Sequence, residues 1–280
     1  MHDSARQESE RVFHDKVYQR GWDQETERID ERIIPPNFMG YWRFVREIVC
    51  DLLESQASVR ALDCGCGHGI LSVLLARLGL HVTAVDISAN AIAIVRHLAE
   101  VNEVADRIDA RAVSVEEGIN EVEAFDCVFG TRVLHHLEIA LAGPRIARAL
   151  KPGGRAVFYE CTDRNAILRW SRRYVRRVLP LPKFGTEHEH PLTRDEIQML
   201  ARDVGAPVRY VDAPFHFFQL ADQYLLRQRF RLVSRLMTNT DAALARCVPI
   251  LNRFSWHQIL DFKKPPRRGE GDVSLTRAAG

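Results

Sequence analysis

The sequence predicts an α/β fold in which helices cover both faces of a mostly parallel sheet. Three consecutive features predict it. A short apolar strand over Val59–Asp63 leads into a glycine-rich turn, a helix follows over His68–Leu78, and a second apolar strand covers Leu80–Val85 and ends on Asp86. A strand, a crossover helix and a second strand in this order form one unit of a parallel sheet.

The glycine-rich turn lets a ligand approach the backbone closely. Gly65, Gly67 and Gly69 occupy alternate positions, where the chain can turn sharply without a clash from a Cβ atom. Asp63 precedes the turn, and Asp86 lies 21 residues after Gly65. An acid at this offset is placed to accept hydrogen bonds from ribose hydroxyls. The stretch therefore predicts a cofactor that contains a nucleoside.

Composition sets limits on the partners and the compartment. The chain has 280 residues, a net charge of +2 and 27% charged residues, so nothing drives the whole surface toward nucleic acid. Its first residues are too charged for a secretory signal, and no apolar run has membrane-spanning length, so we expect a cytoplasmic protein. Six dispersed cysteines indicate reduced thiols. Cys64-x-Cys66 has no second ligand pair at zinc spacing, so no metal site is expected.

The elements before and after this core follow in order. Amphipathic patterning predicts helices over Glu10–Asp30 and Phe38–Leu53, and Ser88 is expected to cap a helix that runs to about Asn102. Further along the chain the pattern predicts strands and helices in the order strand Ile108–Val115, strand Phe125–Gly130, helix Glu138–Leu150, strand Arg155–Glu160, helix Arg194–Val204 behind Thr193, strand Val208–Phe218 and strand Phe254–Lys263.

Two basic amphipathic regions interrupt this order, Asn165–Leu179 and Ala221–Leu251. Each could lie on an anionic membrane, cover an acidic substrate or simply present a solvated face. We expect a helical cap over 1–57, a core over 58–263 with helical elaborations at about 164–192 and 219–252, and a disordered tail over 264–280.

Four sequence motifs, in this order along the chain, resemble those of one protein family. They are D-x-G-x-G-x-G beginning at Asp63, the acid at Asp86, the L-H-H-L segment around His135, and L-K-P-G-G before the fifth strand. The chain resembles the class I S-adenosylmethionine-dependent methyltransferases, and most closely their ubiquinone/menaquinone-type small-molecule group. The resemblance implies a Rossmann-like sheet of seven strands with an antiparallel last strand, and S-adenosyl-L-methionine as the cofactor.

The resemblance also implies a set of cofactor-binding residues. An aromatic residue of the N-terminal segment, Tyr18 or Trp22, would cover the methionine end of the cofactor, and polar groups after the third strand would hold adenine, where Ser114 or Glu116 stands in the place of the usual acid. The predicted cofactor residues are Asp63, Cys64, Gly65, Gly67, Gly69, Asp86, Ile87, Ser114, Val115, Thr131 and Tyr18.

A base is needed when the methyl acceptor is a hydroxyl or a carbon acid. Imidazoles and carboxylates can serve, and histidine has a suitable unperturbed pKa. The candidates are His135, His136, Glu160, His188 and His190. His188-x-His190 lies in a loop, and as a metal site two such histidines are a weak signal.

The sequence is compatible with several functions. A small-molecule acceptor methylated on oxygen or carbon is favoured, because the segments typical of adenine-N6 and cytosine-C5 enzymes are absent from the sequence. RNA and protein acceptors are alternatives. Outside methyl transfer, a nicotinamide-dependent oxidoreductase would share the layout of strand, turn, helix and acid, although it would require G-x-G-x-x-G spacing. A cofactor-binding protein without catalysis is the third class.

Overall fold

A computed structural model describes residues 2–19, 28–34, 36–164, 190–213, 217–222, 226 and 229–267. At its centre is a seven-stranded sheet with the order β3-β2-β1-β4-β5-β7-β6. The strands are β1 Arg60–Cys64, β2 His81–Asp86, β3 Ile108–Ala112, β4 Phe125–Thr131, β5 Leu150–Cys161, β6 Arg209–Asp212 and β7 His257–Lys263.

The strand pairing confirms the predicted fold class. β1 pairs in parallel with β2 and β4, and the parallel arrangement extends to β3 on one side and β5 on the other. Only β7 runs against its neighbours, β5 and β6. The strand order therefore reverses between β1 and β4, where a crevice forms beyond the carboxyl ends of the strands.

Helices pack on both faces of the sheet. Their bounds are α1 His2–Gln19, α2 Pro36–Ser55, α3 Ile70–Arg77, α4 Ala89–Val101, α5 Val115–Gly118, α6 Ile139–Ala149, α7 Arg194–Val204, α8 Phe218–Ala221 and α9 Arg231–Cys247. None of the described helices is long and apolar enough to cross a bilayer.

Alternating residues of the buried strands supply two cores. Ala61, Cys127 and Phe129 face the core that contains α2 and α3. Leu62 and Val128, which alternate with them, face the core that contains α6 and α7. Because successive side chains of a strand point to opposite faces, continuous apolar strands fill both layers and hold the strand ends at one edge.

The predicted helix caps are confirmed. Ser88 begins α4, and its hydroxyl accepts a hydrogen bond from the Ala91 N–H at 3.2 Å. Thr193 and Glu196 form a reciprocal capping box at the start of α7. Both caps lie near the carboxyl edge of the sheet, so they fix where the chain leaves that edge.

Several predicted boundaries were wrong, for local reasons. The first helix begins at His2, and residues 28–30 are not helical. β3 ends at Ala112 because Ser114 caps α5 instead of continuing the strand. β5 begins at Leu150, so the L-K-P-G-G segment belongs to the strand, next to an irregularity in its pairing with β4.

In the C-terminal half, β6 covers only Arg209–Asp212 and β7 starts at His257. The predicted basic helix over Asn165–Leu179 lies outside the described residues. In the second basic region α9 is described, with Leu232 and Leu236 exposed beside Arg231 and Arg235. Its contact with an anionic membrane stays a prediction.

Candidate active site

The glycine turn joins the carboxyl end of β1 to α3 in a conformation that favours glycine. Gly65, Gly67 and Gly69 all have positive φ angles, of 61°, 52° and 77°. A Cβ atom on Gly65 would lie 2.3 Å from Val133 Cγ2, and one on Gly69 would lie 2.8 Å from Val95 Cγ2. The turn therefore depends on the absence of side chains at these positions, as the sequence pattern predicted.

Asp86 ends β2 and faces this turn. The Gly67 N–H donates to its Oδ2 at 3.0 Å, and the Ser88 N–H donates to its Oδ1 at 2.9 Å. Burial raises the pKa of the Asp86 carboxyl, while these two backbone donors act to lower it. Each carboxylate oxygen keeps a lone pair for another donor, so the group can still accept hydrogen bonds from vicinal hydroxyls.

Asp63 lies at the end of the neighbouring strand, buried, with the Ser72 hydroxyl donating to its Oδ2 at 2.6 Å. Burial raises the pKa of Asp63 to about 7. A nearby cation would favour its ionised form. Cys64 and Cys66 flank the same turn, and burial raises the pKa of both thiols, so they stay protonated. They take no part in the metal-ligating clusters found among the described residues.

α1 lies across this edge of the sheet and contacts the predicted site. The Tyr18 hydroxyl approaches Gly67 so closely that a Cβ there would lie 2.9 Å from it, and the Tyr18 ring meets His68 edge to face. Asp15 accepts a hydrogen bond from the Ser88 hydroxyl at 2.5 Å. Tyr18 thus lies at the turn, and its contact with the methionine end of the cofactor stays a prediction. Trp22 lies outside the described residues.

The residues after β3 have roles that the sequence did not predict. Ser114 accepts from the Glu116 N–H at 3.1 Å and so caps α5. The buried Glu116 carboxylate binds Arg6 and Gln7 of α1 and also accepts from the Glu138 N–H. Glu116 therefore anchors α1. Half-buried Ile87 follows β2 and buried Val115 begins α5, so both remain at this edge of the sheet.

β4 and the loop that follows it bring a second group of residues to the edge. Thr131 ends β4, and Arg132 follows with a φ of 53°, its N–H donating to the Tyr159 carbonyl at 2.8 Å. A positive φ is uncommon for a residue other than glycine and marks a constrained turn. This turn directs the next residues back over the end of β5.

Partly buried His135 and fully buried Glu160 form a pair there. His135 Nδ1 lies 2.8 Å from Glu160 Oε2, and Glu160 Oε1 accepts from the Val133 and Leu134 N–H groups, both at 2.7 Å. Burial alone would lower the pKa of His135, but the Glu160 carboxylate outweighs it and holds the pKa well above its usual range. Three hydrogen bonds fix the carboxylate, which in turn orients the imidazole.

The other candidate bases are not part of this pair. His136 Nδ1 lies 3.2 Å from Glu10 Oε2 on α1. His190 is exposed, near the Pro191 carbonyl and Glu196. His188 lies outside the described residues. Sequence reasoning missed Arg6, Glu10 and Asp15, since charged residues on an amphipathic helix look like a solvated face unless the helix packing is known.

Comparison with known families supports the same interpretation. A family model described as a methyltransferase domain matches residues 62–158. The ubiquinone biosynthesis O-methyltransferase of Bordetella avium is 33% identical over 195 residues, which cover 66% of this chain and 75% of that protein. The equivalent protein of Xanthomonas oryzae is 36% identical over 138 residues. That match spans only 47% of this chain and 55% of the relative.

Solved structures share the fold at low sequence identity. A protein of Galdieria sulphuraria described as a putative sarcosine dimethylglycine methyltransferase aligns with a TM-score of 0.52 and 17% identity, over 78% of this chain and 84% of its own. Geranyl diphosphate C-methyltransferase of Streptomyces coelicolor, solved with S-adenosyl-L-homocysteine, aligns with a TM-score of 0.51 and 15% identity, over 79% and 80%. The [4+2]-cyclase SpnF also reaches 0.51, at 18% identity over 79% and 80%, so the fold alone does not decide the reaction.

The residues at this edge fit S-adenosylmethionine. The glycines of the turn leave no room for a Cβ atom, so a ligand can lie against the backbone there. Asp86 offers oxygen acceptors suited to ribose hydroxyls, and a neighbouring cation would favour the ionised form of Asp63. A pyrophosphate would instead meet the two carboxylates. With the matched domain and a relative aligned over three quarters of its length, the chain belongs to the class I S-adenosylmethionine-dependent methyltransferases.

Proposed function

We propose that the protein methylates a hydroxyl group of a small-molecule acceptor, with S-adenosylmethionine as the donor. The observation that carries this proposal is the pair of partly buried His135 and fully buried Glu160. The pair follows Val133, whose side chain lies against Gly65 of the glycine turn. Named relatives are ubiquinone biosynthesis O-methyltransferases, which supports oxygen as the acceptor atom.

The donor supplies an electrophilic methyl group on a sulfonium. Asp86 and the glycine turn would hold its nucleoside, and Asp63 would bind the cationic end. Because Asp63 and Asp86 sit on adjacent strands, and β1 and β2 are in parallel register, both ends are positioned by rigid elements. The acceptor hydroxyl then has to meet the methyl group in line.

His135 is placed to take the hydroxyl proton when its ring is neutral. Because Glu160 holds the pKa of His135 well above its usual range, the neutral ring is present on the alkaline side of neutrality. In that form Nδ1 donates to Glu160 and Nε2 can accept the proton. The positive charge that His135 gains would be stabilised by the Glu160 carboxylate, which is itself held by two backbone donors. This division of roles between an accepting imidazole and an orienting carboxylate is a general arrangement for proton removal.

The class of acceptor is suggested by the named relatives. They are described as ubiquinone biosynthesis O-methyltransferases. We therefore propose a hydroxylated aromatic or quinone-like acceptor rather than RNA or protein.

Turnover of dihydroxybenzenes tests the role of the pair. Wild-type protein should form S-adenosylhomocysteine with hydroquinone-type probes, and His135→Ala and Glu160→Gln should slow turnover by about 100-fold or more, the usual range for loss of a general base. Binding of S-adenosylmethionine should stay within about twofold, because neither residue lies at the glycine turn. His190→Ala, which removes an exposed histidine shortly before α7, serves as the control.

Two results would contradict the proposal. One is full turnover in both variants, which would show that proton removal does not depend on the pair. The other is methylation of an aromatic amine probe but of none of the hydroxyl probes.

A further inference from the structure

A second cluster of ligating side chains lies between α1 and the loop after β4, outside the His135–Glu160 pair. It consists of Glu10, His14 and His136, whose nearest ligating atoms all lie within 4.8 Å of one another. Glu10 and His14 are one helical turn apart on α1, and His136 comes from the short helical turn over residues 134–136. Two chain segments 126 residues apart thus meet in one cluster.

The spacing of the three donors suits a transition-metal ion. Glu10 Oε2 lies 3.5 Å from His14 Nε2 and 3.2 Å from His136 Nδ1. Ligands about 2.0–2.1 Å from a tetrahedral ion are separated by about 3.3–3.4 Å. These two separations are therefore close to the edges of a ligand tetrahedron, and the third pair of ligating atoms, on His14 and His136, lies within 4.8 Å.

Burial and charge also favour a cation at this place. Glu10 is 4% exposed, and a cation next to its carboxylate would stabilise the charged form. The side chains of His14 and His136 keep 21% and 15% of their surface exposed, which leaves a way in for an ion.

The other cluster of this kind, His135, Glu160 and Cys161, is a poorer candidate. Both oxygens of Glu160 already accept hydrogen bonds, from two backbone N–H groups and from His135. An ion there would have to break those bonds. At Glu10, His14 and His136 an ion would replace the hydrogen bond between His136 and Glu10, and its two imidazoles would remain as ligands around the one carboxylate.

We propose that Glu10, His14 and His136 bind one divalent transition-metal ion, of the kind that prefers two nitrogen donors and one oxygen donor, such as Zn²⁺. The ion links α1 to the loop after β4. Since α1 also carries Tyr18 over Gly67, an ion at this site holds the helix against the cofactor turn. The proposal does not depend on which acceptor the protein methylates.

Titration of metal-free protein with Co²⁺ and Zn²⁺ tests the site. One equivalent of Co²⁺ should bind and give the visible absorption of a low-coordinate site with nitrogen and oxygen ligands, and Zn²⁺ should displace it, in keeping with its stronger binding. Zn²⁺ should also raise the melting temperature. His14→Ala and Glu10→Ala should each weaken binding at least about tenfold and remove the thermal shift.

His81→Ala is the matched control, because it removes an exposed histidine at the start of β2. It should bind Co²⁺ as the wild type does. Circular dichroism shows whether each variant is folded. Because two separate variants of α1 are compared, the test still works if one of them does not fold. The proposal is overturned if the wild type takes up no saturating equivalent, or if both variants bind as tightly as the wild type.

Discussion

Two carboxylates at neighbouring strand ends, Asp63 and Asp86, have different surroundings and hence different tasks. Asp86 accepts two backbone hydrogen bonds, which act against the effect of burial on its pKa. Asp63 has the Ser72 hydroxyl as its partner, and its pKa rises to about 7. Around neutral pH, a cation that binds next to Asp63 must therefore displace a proton from its carboxyl group in a large fraction of the molecules.

This leads to a pH dependence of cofactor binding. With a pKa of about 7 in the free protein, Asp63 is about one-tenth ionised at pH 6.0 and about three-quarters ionised at pH 7.5. Because the cationic end of S-adenosylmethionine binds the ionised form, affinity should rise roughly eightfold between these values. Calorimetry in two buffers of different ionisation enthalpy should detect proton release near pH 6.5.

Asp63→Asn is the control, since it keeps an oxygen acceptor for Ser72 but cannot ionise. Its weaker binding should no longer change with pH over this range. An equally steep rise in the variant would show that another group is responsible.

At the scale of single residues, the sequence predicted those features that depend on neighbouring positions in the chain. The glycines and Asp86 could be placed because their spacing is tied to one turn and the next strand end. The role of Glu116 could not be predicted, because its partners Arg6 and Gln7 lie about 110 residues earlier in the chain.

At the scale of elements, a side chain in the glycine turn would destabilise the folded protein for two separate reasons. At Gly65 the φ of 61° is unfavourable for other residues, and a Cβ atom would also strike Val133. At Gly153, in β5, the φ is 76° but nothing lies within 4 Å of the added atom. The two glycines thus allow the conformational and steric costs to be measured apart.

Gly153→Ala should lower the free energy of unfolding by about 1–2 kcal/mol, the cost of a left-handed conformation. Gly65→Ala should cost about 2–5 kcal/mol, because overpacking against Val133 adds about 1–3 kcal/mol. Urea unfolding of both variants measures the difference. Equal losses would mean that Val133 moves aside freely and that the turn is not sterically required.

α1 shows why an element can be predicted without its function. Its amphipathic pattern indicated a helix, although the predicted bounds were too late in the chain. What it covers depends on contacts of Arg6, Glu10, Asp15 and Tyr18 with four distant parts of the sheet edge. None of these pairings leaves a signal in one sequence.

For the whole molecule, a mostly parallel sheet of seven strands with an antiparallel last strand could be predicted once the four motifs of one family were recognised in order along the chain. Continuous apolar strands require cover on both faces, and the structure provides it with α2 and α3 on one side and α6 and α7 on the other. The segments around β6, α8 and α9 were harder to predict, because their boundaries depend on tertiary packing.

α9 illustrates that dependence. The buried Asp241 on this helix accepts hydrogen bonds from the backbone N–H groups of Phe217, Phe218 and Gln219. It thereby fixes the start of α8, a short helix that local propensity alone would not specify.

The central claim is that the edge formed by β1, β2 and the glycine turn binds S-adenosylmethionine, and calorimetric titration of the whole protein tests it most directly. We expect one site for S-adenosylmethionine and none for NAD(H). Asp86→Asn keeps an acceptor for Gly67 but loses the charge, so it should bind about 10- to 100-fold more weakly. Asp109→Asn, an exposed change on β3, should have no effect. Binding of NAD(H) alone, or unchanged affinity in Asp86→Asn, would contradict the account.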